Sequence, residues 1–337
     1  MSLRQTTGGQ ALKTCGDDRI MLSSEYYNLP RWNGHESPFY EVYYLKLNEP
    51  SLGVALWLRY TLLAQTDKTA TASLWAIFSD SKDHRKNIAL KETISAKDVI
   101  FKKGQFHLNI GGALLDNESA NGGVENENGK IAWDLKWRSS ENVYRPYLRP
   151  LYLLPWPKSK VVVPNLKVYA GGHFSVNGLK FDIQNMVLHQ GHVWGKRYSN
   201  GWAWADCGLF NEDKNAVLDI ISNRNFGYGF LRDGDNETKF RLKGRYSLTG
   251  WEFEGVSWSK KVRGKILAAK ENIVGVSYDG PLGEKRYCYN TNMADAVIDV
   301  MEKINKRWMI KTQLTSYGTT AFETVEEHPI QAFRLML

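Results

Sequence analysis

Alternation of period two dominates this chain. Phe39, Glu41, Tyr43 and Leu45 oppose Tyr40, Val42, Tyr44 and Lys46, which predicts an aromatic-rich strand with both faces partly buried. Val54 to Leu63 reads as a second strand, with Leu56, Leu58, Tyr60 and Leu62 on one face. Ser73 to Ser79 and Ile131 to Arg138 read as two more. Turn signals separate these runs: Asn33-Gly34, Glu49-Pro50, Lys103-Gly104, Asn121-Gly122-Gly123 and Asn128-Gly129. Helical periodicity is scarce. Its best window, Met293 to Trp308, reads better as a hairpin. Ala294, Ala296, Ile298 and Val300 then point inward, Asp295 and Asp299 point outward, and a turn at Lys303 to Lys306 leads into Arg307 to Thr315.

These elements predict an all-β protein whose antiparallel sheets close into barrels or sandwiches. Prolines 146, 150, 155, 157 and 164 concentrate in one stretch and mark the best boundary. The expected domains are residues 1–164 and 165–337, each of a size for one lipocalin-like barrel. Gly111 to Gly129, rich in Gly, Asn and Glu, reads as a surface loop.

The length of 337 residues supports this division, because single cores rarely grow beyond about 250–300 residues. No run of 18 apolar residues exists; Arg59 interrupts Val54 to Ala64. Met1-Ser2-Leu3 carries no apolar signal core, although a leader in place of a removed signal peptide would look the same. Three widely spaced cysteines, Cys15, Cys207 and Cys288, fit neither a disulfide framework nor a zinc pattern, and a reducing compartment is the simpler reading. The location expected is cytoplasmic or membrane-peripheral. The net charge is +8, but the basic residues are scattered. The densest run, Lys260 to Lys265, alternates like a solvated strand edge rather than a nucleic-acid site. Twelve tryptophans are the unusual entry in the composition, and so many indoles suggest that some line a cavity.

Chemistry concentrates between His189 and Asn211. His189 and His192 are three apart, so on a strand they face opposite sides and cannot share a metal. His192 and Trp194 share a face, as do Trp202, Trp204 and Asp206. A hairpin with Gly201 in the left-handed conformation would pair Tyr198 with Trp202. That register sets Trp194 across from Asp206 with His192 diagonally near. Asp206 among indoles would then be a desolvated, protonated general acid. The aromatic faces would stabilise a carbocation, and His192 would orient the acid or take a proton back. The plain alternative is a structural His192–Asp206 pair closing a barrel end.

Two further patches carry less. Glu36 or Glu41 could pair with Arg59 beside Trp57 and Tyr43, most simply as a salt bridge under the sheet. Trp251 and Phe253 alternate with Glu252 and Glu254, and with Trp258 they could line a cavity. No nucleophile-elbow, phosphate-loop or H-E-x-x-H motif occurs.

Glu36-Ser37-Pro38-Phe39-Tyr40, Trp57-Leu58-Arg59-Tyr60-Thr61, Gly191-His192-Val193-Trp194-Gly195, Trp202-Ala203-Trp204-Ala205-Asp206 and Tyr289-Asn290-Thr291-Asn292-Met293-Ala294-Asp295 together resemble the AttH and CrtC-like superfamily. That group includes carotenoid 1,2-hydratases and, more distantly, tocopherol cyclase. The resemblance spans roughly residues 25 to 325. It implies two lipocalin-like β-domains around an apolar ligand cavity, with Asn292 in its last motif. In the hydratases a His-x-Trp and a Tyr-x-Asp motif are thought to carry proton addition to an isoprenoid double bond. His192-Val193-Trp194 matches the first. Trp204-Ala205-Asp206 matches the second only in part, since Trp204 replaces the tyrosine, which leaves protonation-driven cyclisation or isomerisation open beside hydration.

Three functions follow as expectations. The first is an enzyme needing no metal or other cofactor, acting on an apolar substrate of isoprenoid, lipid or polyketide-like type. Asp206 would be the acid, His192 its partner, Trp194 and Trp204 the walls, and Trp202, Trp251, Trp258, Tyr43, Trp57, Arg59, Glu36 and Asn292 the ligand contacts. The second is a non-catalytic carrier of a lipid or pigment. The third is a carbohydrate-active protein, which needs Glu252 or Glu254 near Asp206. The partner is a hydrophobic small molecule, with peripheral membrane contact open and no nucleic acid.

Overall fold

The computed structural model describes residues 23–102, 104–223 and 226–337. A short helix, α1 (Ser24–Asn28), is followed by β1 (Phe39–Glu49), β2 (Val54–Ala64), β3 (Thr71–Asp80) and β4 (Ile88–Ser95). Then come β5 (Ile100–Phe101), β6 (His107–Ile110), β7 (Ala113–Asp116), β8 (Ser119–Asn126), β9 (Gly129–Trp137), β10 (Ser159–Val176) and β11 (Leu179–Gly195). These eleven strands form one antiparallel sheet in the order β4-β3-β2-β1-β11-β10-β9-β8-β7-β6-β5. It curls as a half-barrel around a core that includes Tyr43, Leu45, Leu58, Tyr60, Trp133, Trp137 and Phe174.

The second sheet contains β12 (Trp202–Cys207), β13 (Val217–Asn223), β14 (Gly227–Asp233), β15 (Asn236–Ser247), β16 (Gly250–Val256), β17 (Lys260–Leu267), β18 (Val274–Asp279), β19 (Lys285–Ile304) and β20 (Arg307–Glu326). Its order is β17-β16-β15-β14-β13-β12-β20-β19-β18, and β17 also pairs with β19. That pairing closes an eight-stranded barrel, and β18 extends the first part of β19 outside it. The protein is all-β, two packed lipocalin-like β-domains. Among the described residues no helix is long and apolar enough to cross a membrane.

The hairpin read from Met293 onward is present. Ala294, Ala296, Ile298 and Val300 are fully buried, and Asn305 and Lys306 take positive φ in the turn to β20. Four other expectations are corrected. Gly111 to Gly129 is not a loop but contains β7 and β8, because Ala113, Leu115, Ala120 and Val124 alternate into the core. Lys260 to Lys265 is not a strand edge: β17 pairs on both sides, and Lys260 is buried on Asp233. Residue 164 lies inside β10, so the sheets change between Gly195 and Trp202 instead. The prolines interrupt pairing, but β10 and β11 then return to the first sheet beside β9 and β1. The His192–Asp206 hairpin is absent, because β11 pairs with β1 and β10 while β12 pairs with β13 and β20.

The packing of the sheets follows from β1. Its residues Tyr43, Leu45 and Leu47 face the first core, while Tyr40, Val42 and Tyr44 face the second sheet. Trp57 and Trp75 join that contact, against Tyr198, Val276, Tyr278 and Val325. The aromatic strand needed two buried faces because two sheets cover it.

Candidate active site between the sheets

A cavity of about 660 Å³ lies between the outer faces of the two sheets. Tyr40, Tyr44, Trp57 and Arg59 wall it from the first sheet, and Trp202, Trp204, Asp219, Tyr228, Tyr278 and Glu323 from the second side. The proline-rich segment contributes Tyr147, Leu151 and Trp156. Aromatic-rich walls with a few charged groups suit an apolar ligand with a few polar contacts.

One end of the cavity holds a buried charge cluster. Lys46 on β1 and His189 on β11 are register partners on the face toward the second sheet. Asp206 on β12 reaches both: Lys46 Nζ is 3.0 Å from Oδ1, and His189 Nδ1 is 3.1 Å from Oδ2. Asp219 on β13 is the register partner of Asp206. Its Oδ2 accepts from Trp204 Nε1 at 3.3 Å and lies 3.9 Å from His189 Nε2. The Tyr44 hydroxyl is 3.3 Å from the same ring nitrogen. Gly191 makes this possible, since any Cβ there would collide with the Tyr44 ring.

The two aspartates are in opposite states. Burial opposes charge on Asp206, but His189 and Lys46 outweigh it and lower its pKa to about 2. For Asp219 burial wins over the nearby His189, and its pKa rises to about 7, with the Asp206 charge adding to the rise. Burial also opposes charge on His189, yet Asp206 outweighs it and raises that pKa above the ordinary value. The cluster therefore holds Asp206 as a carboxylate against Lys46 and His189, beside an Asp219 that keeps its proton up to about pH 7. Only Asp219 of the two lines the cavity.

His189, Asp206 and Asp219 also bring ligand atoms within 4.8 Å of one another, as a metal site would. Lys46 argues against that use, because its ammonium already sits on Asp206 where a second cation would have to bind.

The expected site residues are partly redistributed. Trp57, Arg59, Trp202 and Trp204 line the cavity. Asp206 is buried outside the cavity lining and its pKa is lowered, so the geometry does not favour it as the acid. His192 points the other way. Its Nε2 is 2.8 Å from Glu41 Oε1 and its Nδ1 is 2.7 Å from Tyr27 O. Glu41 also accepts from the backbone N–H groups of Arg31 and Trp32 and from the Tyr43 hydroxyl. Burial opposes its charge, but His192 and the Arg31 and Trp32 N–H groups together outweigh that and lower its pKa. This knot clamps the N-terminal segment to the half-barrel.

Tyr43 stacks on His192 inside the first core, and Trp194 lies against His192 and Arg31 rather than in the cavity. Glu36 pairs with Lys196 instead of Arg59, and Glu41 is committed to His192. Asn292 is fully buried where the sheets meet, and its carbonyl accepts from Asn48. Trp251 fills the barrel core. Trp258 is 100% exposed and walls nothing. Glu252 and Glu254 stand on the outside of β16, paired with Lys265 and Lys261, which removes the carbohydrate reading built on them. Cys15 lies outside the described residues.

Asp219 escaped the sequence reading although Val217-Leu218-Asp219-Ile220-Ile221 isolates one acid in an apolar strand. Lys46, His189 and Glu323 were equally visible, as charges on strands whose other residues are buried.

No protein-family profile matches the chain. Two uncharacterized proteins of Mycobacterium tuberculosis, from strains H37Rv and CDC 1551, are each 23% identical over 322 residues, covering 89% of this chain and 90% of theirs. Among solved structures, a protein of Nitrosomonas europaea provisionally named AttH aligns with a TM-score of 0.53 at 10% identity, over 86% of this chain and 93% of that one. The fold is AttH-like. Kievitone hydratase from Nectria haematococca shares this fold, with a TM-score of 0.52 at 9% identity over 94% and 96% of the two chains. At such identity the AttH-like architecture is shared, and the charge cluster has to be argued from its own geometry.

Proposed function

We propose that this chain is an enzyme of hydratase or cyclase type that protonates a carbon–carbon double bond of an apolar substrate, with Asp219 as the acid. The observation that carries this reading is a carboxylic acid with a pKa of about 7 in the wall of an aromatic cavity. Trp204 donates to Oδ2, which leaves the proton to Oδ1. When Asp219 gives its proton to the alkene, the carboxylate formed lies 3.9 Å from the His189 ring. His189 there offsets part of the cost of ionising this buried carboxyl. The carbocation then faces the indole and phenol rings of the cavity. Water addition would give a hydratase, and attack by a group of the substrate a cyclase. His189 and Tyr44 offer the path by which Asp219 regains a proton. Neither step calls on a metal or redox cofactor.

Arg59 is the polar feature of another part of the cavity. It is 93% buried by difference from its 7% exposure, stands over Tyr278 at 4.5 Å, and leaves Nε without a partner. An oxygen-bearing end of the substrate would satisfy it and fix which double bond meets Asp219.

The test is to incubate the protein with a panel of isoprenoid and other apolar alkenes in D2O and to read deuterium incorporation by mass spectrometry. Wild-type protein should label or convert a substrate and Asp219→Asn should not. Conversion that survives Asp219→Asn removes Asp219 as the acid. No conversion of any alkene, with a stoichiometric hydrophobe extracted from both proteins, would favour a carrier.

A further inference from the structure

The cavity mouth has an unusual surface. The segment from Pro146 to Lys158 crosses it as a strap, with Tyr147 and Leu151 turned inward to the cavity. Leu148, Leu153 and Leu154 face solvent at 76%, 90% and 50% exposure, and Trp156 edges the cavity while 66% exposed. Across the opening, Phe226 also lines the cavity and is 54% exposed. A folded surface rarely leaves so many large apolar side chains together without something to cover them.

Cations gather around this patch, with Glu36 held on Lys196 at its border. Between Glu141 and Asp182 the sequence has no acidic residue, while Arg145, Arg149, Lys158 and Lys160 lie on or beside the strap. Lys158, Lys160 and Arg197 line the outer part of the cavity, and its two acids, Asp219 and Glu323, sit inside. Partial burial and the charges of Lys196 and Lys158 lower the Lys160 pKa, which reports how closely these cations crowd.

We infer that the strap is a docking surface for an anionic lipid bilayer, through which the cavity exchanges its apolar ligand without passing it through water. Leucines and an indole inserting at the headgroup level, ringed by lysine and arginine, are the chemistry of an interfacial contact. A protein partner would leave the positive ring and the open cavity behind it unexplained. The four prolines of the strap, at 146, 150, 155 and 157, lack backbone donors and so keep it out of regular pairing. This goes beyond the proposed reaction and is read without turnover, so the failure of either leaves the other standing.

The experiment is co-sedimentation of the whole protein with vesicles of phosphatidylcholine alone or mixed with an equal part of phosphatidylglycerol. The protein should sediment with the anionic vesicles, weakly or not at all with neutral ones, and less as salt rises. Leu153→Ser with Leu154→Ser should weaken binding by about tenfold or more. Arg149→Glu with Lys158→Glu should do the same. All four positions are exposed, so the melting temperature should hold and confirm folded variants. Absence of sedimentation with either vesicle, equal binding to both, or variants that bind like wild type would overturn the inference. So would loss of a dimer on light scattering in the leucine variant with no vesicle binding by wild type, which would assign the patch to self-association.

Discussion

Asp206 and Asp219 are register partners on adjacent strands, yet Asp206 is a carboxylate held between Lys46 and His189 and Asp219 is a carboxylic acid facing the cavity. Like charges on neighbouring strands are costly, and the protein avoids the cost by ionising one of the pair. Lys46 and the nearer contact of His189 are on the Asp206 side. That asymmetry creates a proton donor at neutral pH.

Stability should record it. The Asp219 pKa is raised from 3.8 to about 7, so its contribution to folding is full below about pH 4 and is lost as pH rises through 7. Comparing urea unfolding of wild type and Asp219→Asn across this range should show wild type losing stability relative to the variant, by on the order of a few kcal/mol. Asp206 has the opposite sign. Its pKa is lowered to about 2, so its contribution is present above about pH 4 and is lost as pH falls through 2.

Asp206→Asn should be among the most damaging substitutions in the chain. It leaves Lys46 buried without its carboxylate and should cost about 3–5 kcal/mol in chemical denaturation. Lys46→Met combined with Asp206→Leu should recover much of that loss, because no charge is then left unpaired.

Gly191→Ala tests the packing that supports the cluster. A Cβ at this position meets the Tyr44 ring, which must move away from His189. The expected cost is about 1–3 kcal/mol. Restoring space with Tyr44→Ala should not rescue activity fully, since the hydroxyl on His189 is then missing.

His192→Ala should release the N-terminal segment rather than alter proton donation. His192 holds Tyr27 and Glu41, and Glu41 holds Arg31 and Trp32. Limited proteolysis between residues 23 and 38 should accelerate while the pH dependence of Asp219 stays in place. Trp258→Ser, at a fully exposed position, should change stability by no more than about 0.5 kcal/mol.

The strand pattern was legible because alternation is local. Ala294 to Val300 and Phe39 to Lys46 declare their buried faces within a few residues. Pairing between distant segments was not legible. Nothing near His192 states that its strand pairs with β1, or that Trp202 opens a strand of another sheet. A hairpin joining His192 to Asp206 across the thirteen residues between them is therefore the wrong topology. The presence of an aromatic-walled acid in that region was readable from composition; which aspartate holds the proton depended on Lys46, a residue 160 positions from Asp206 in the chain.

The most direct measurement is the carboxyl carbon titration of Asp219 by NMR in protein labelled with 13C-aspartate, assigned by the signal missing from Asp219→Asn. A midpoint near pH 7, with the Asp206 signal still ionised at pH 4, is the predicted result. A midpoint for Asp219 near the ordinary carboxylate value would contradict the account, because no proton donor would then face the cavity at neutral pH.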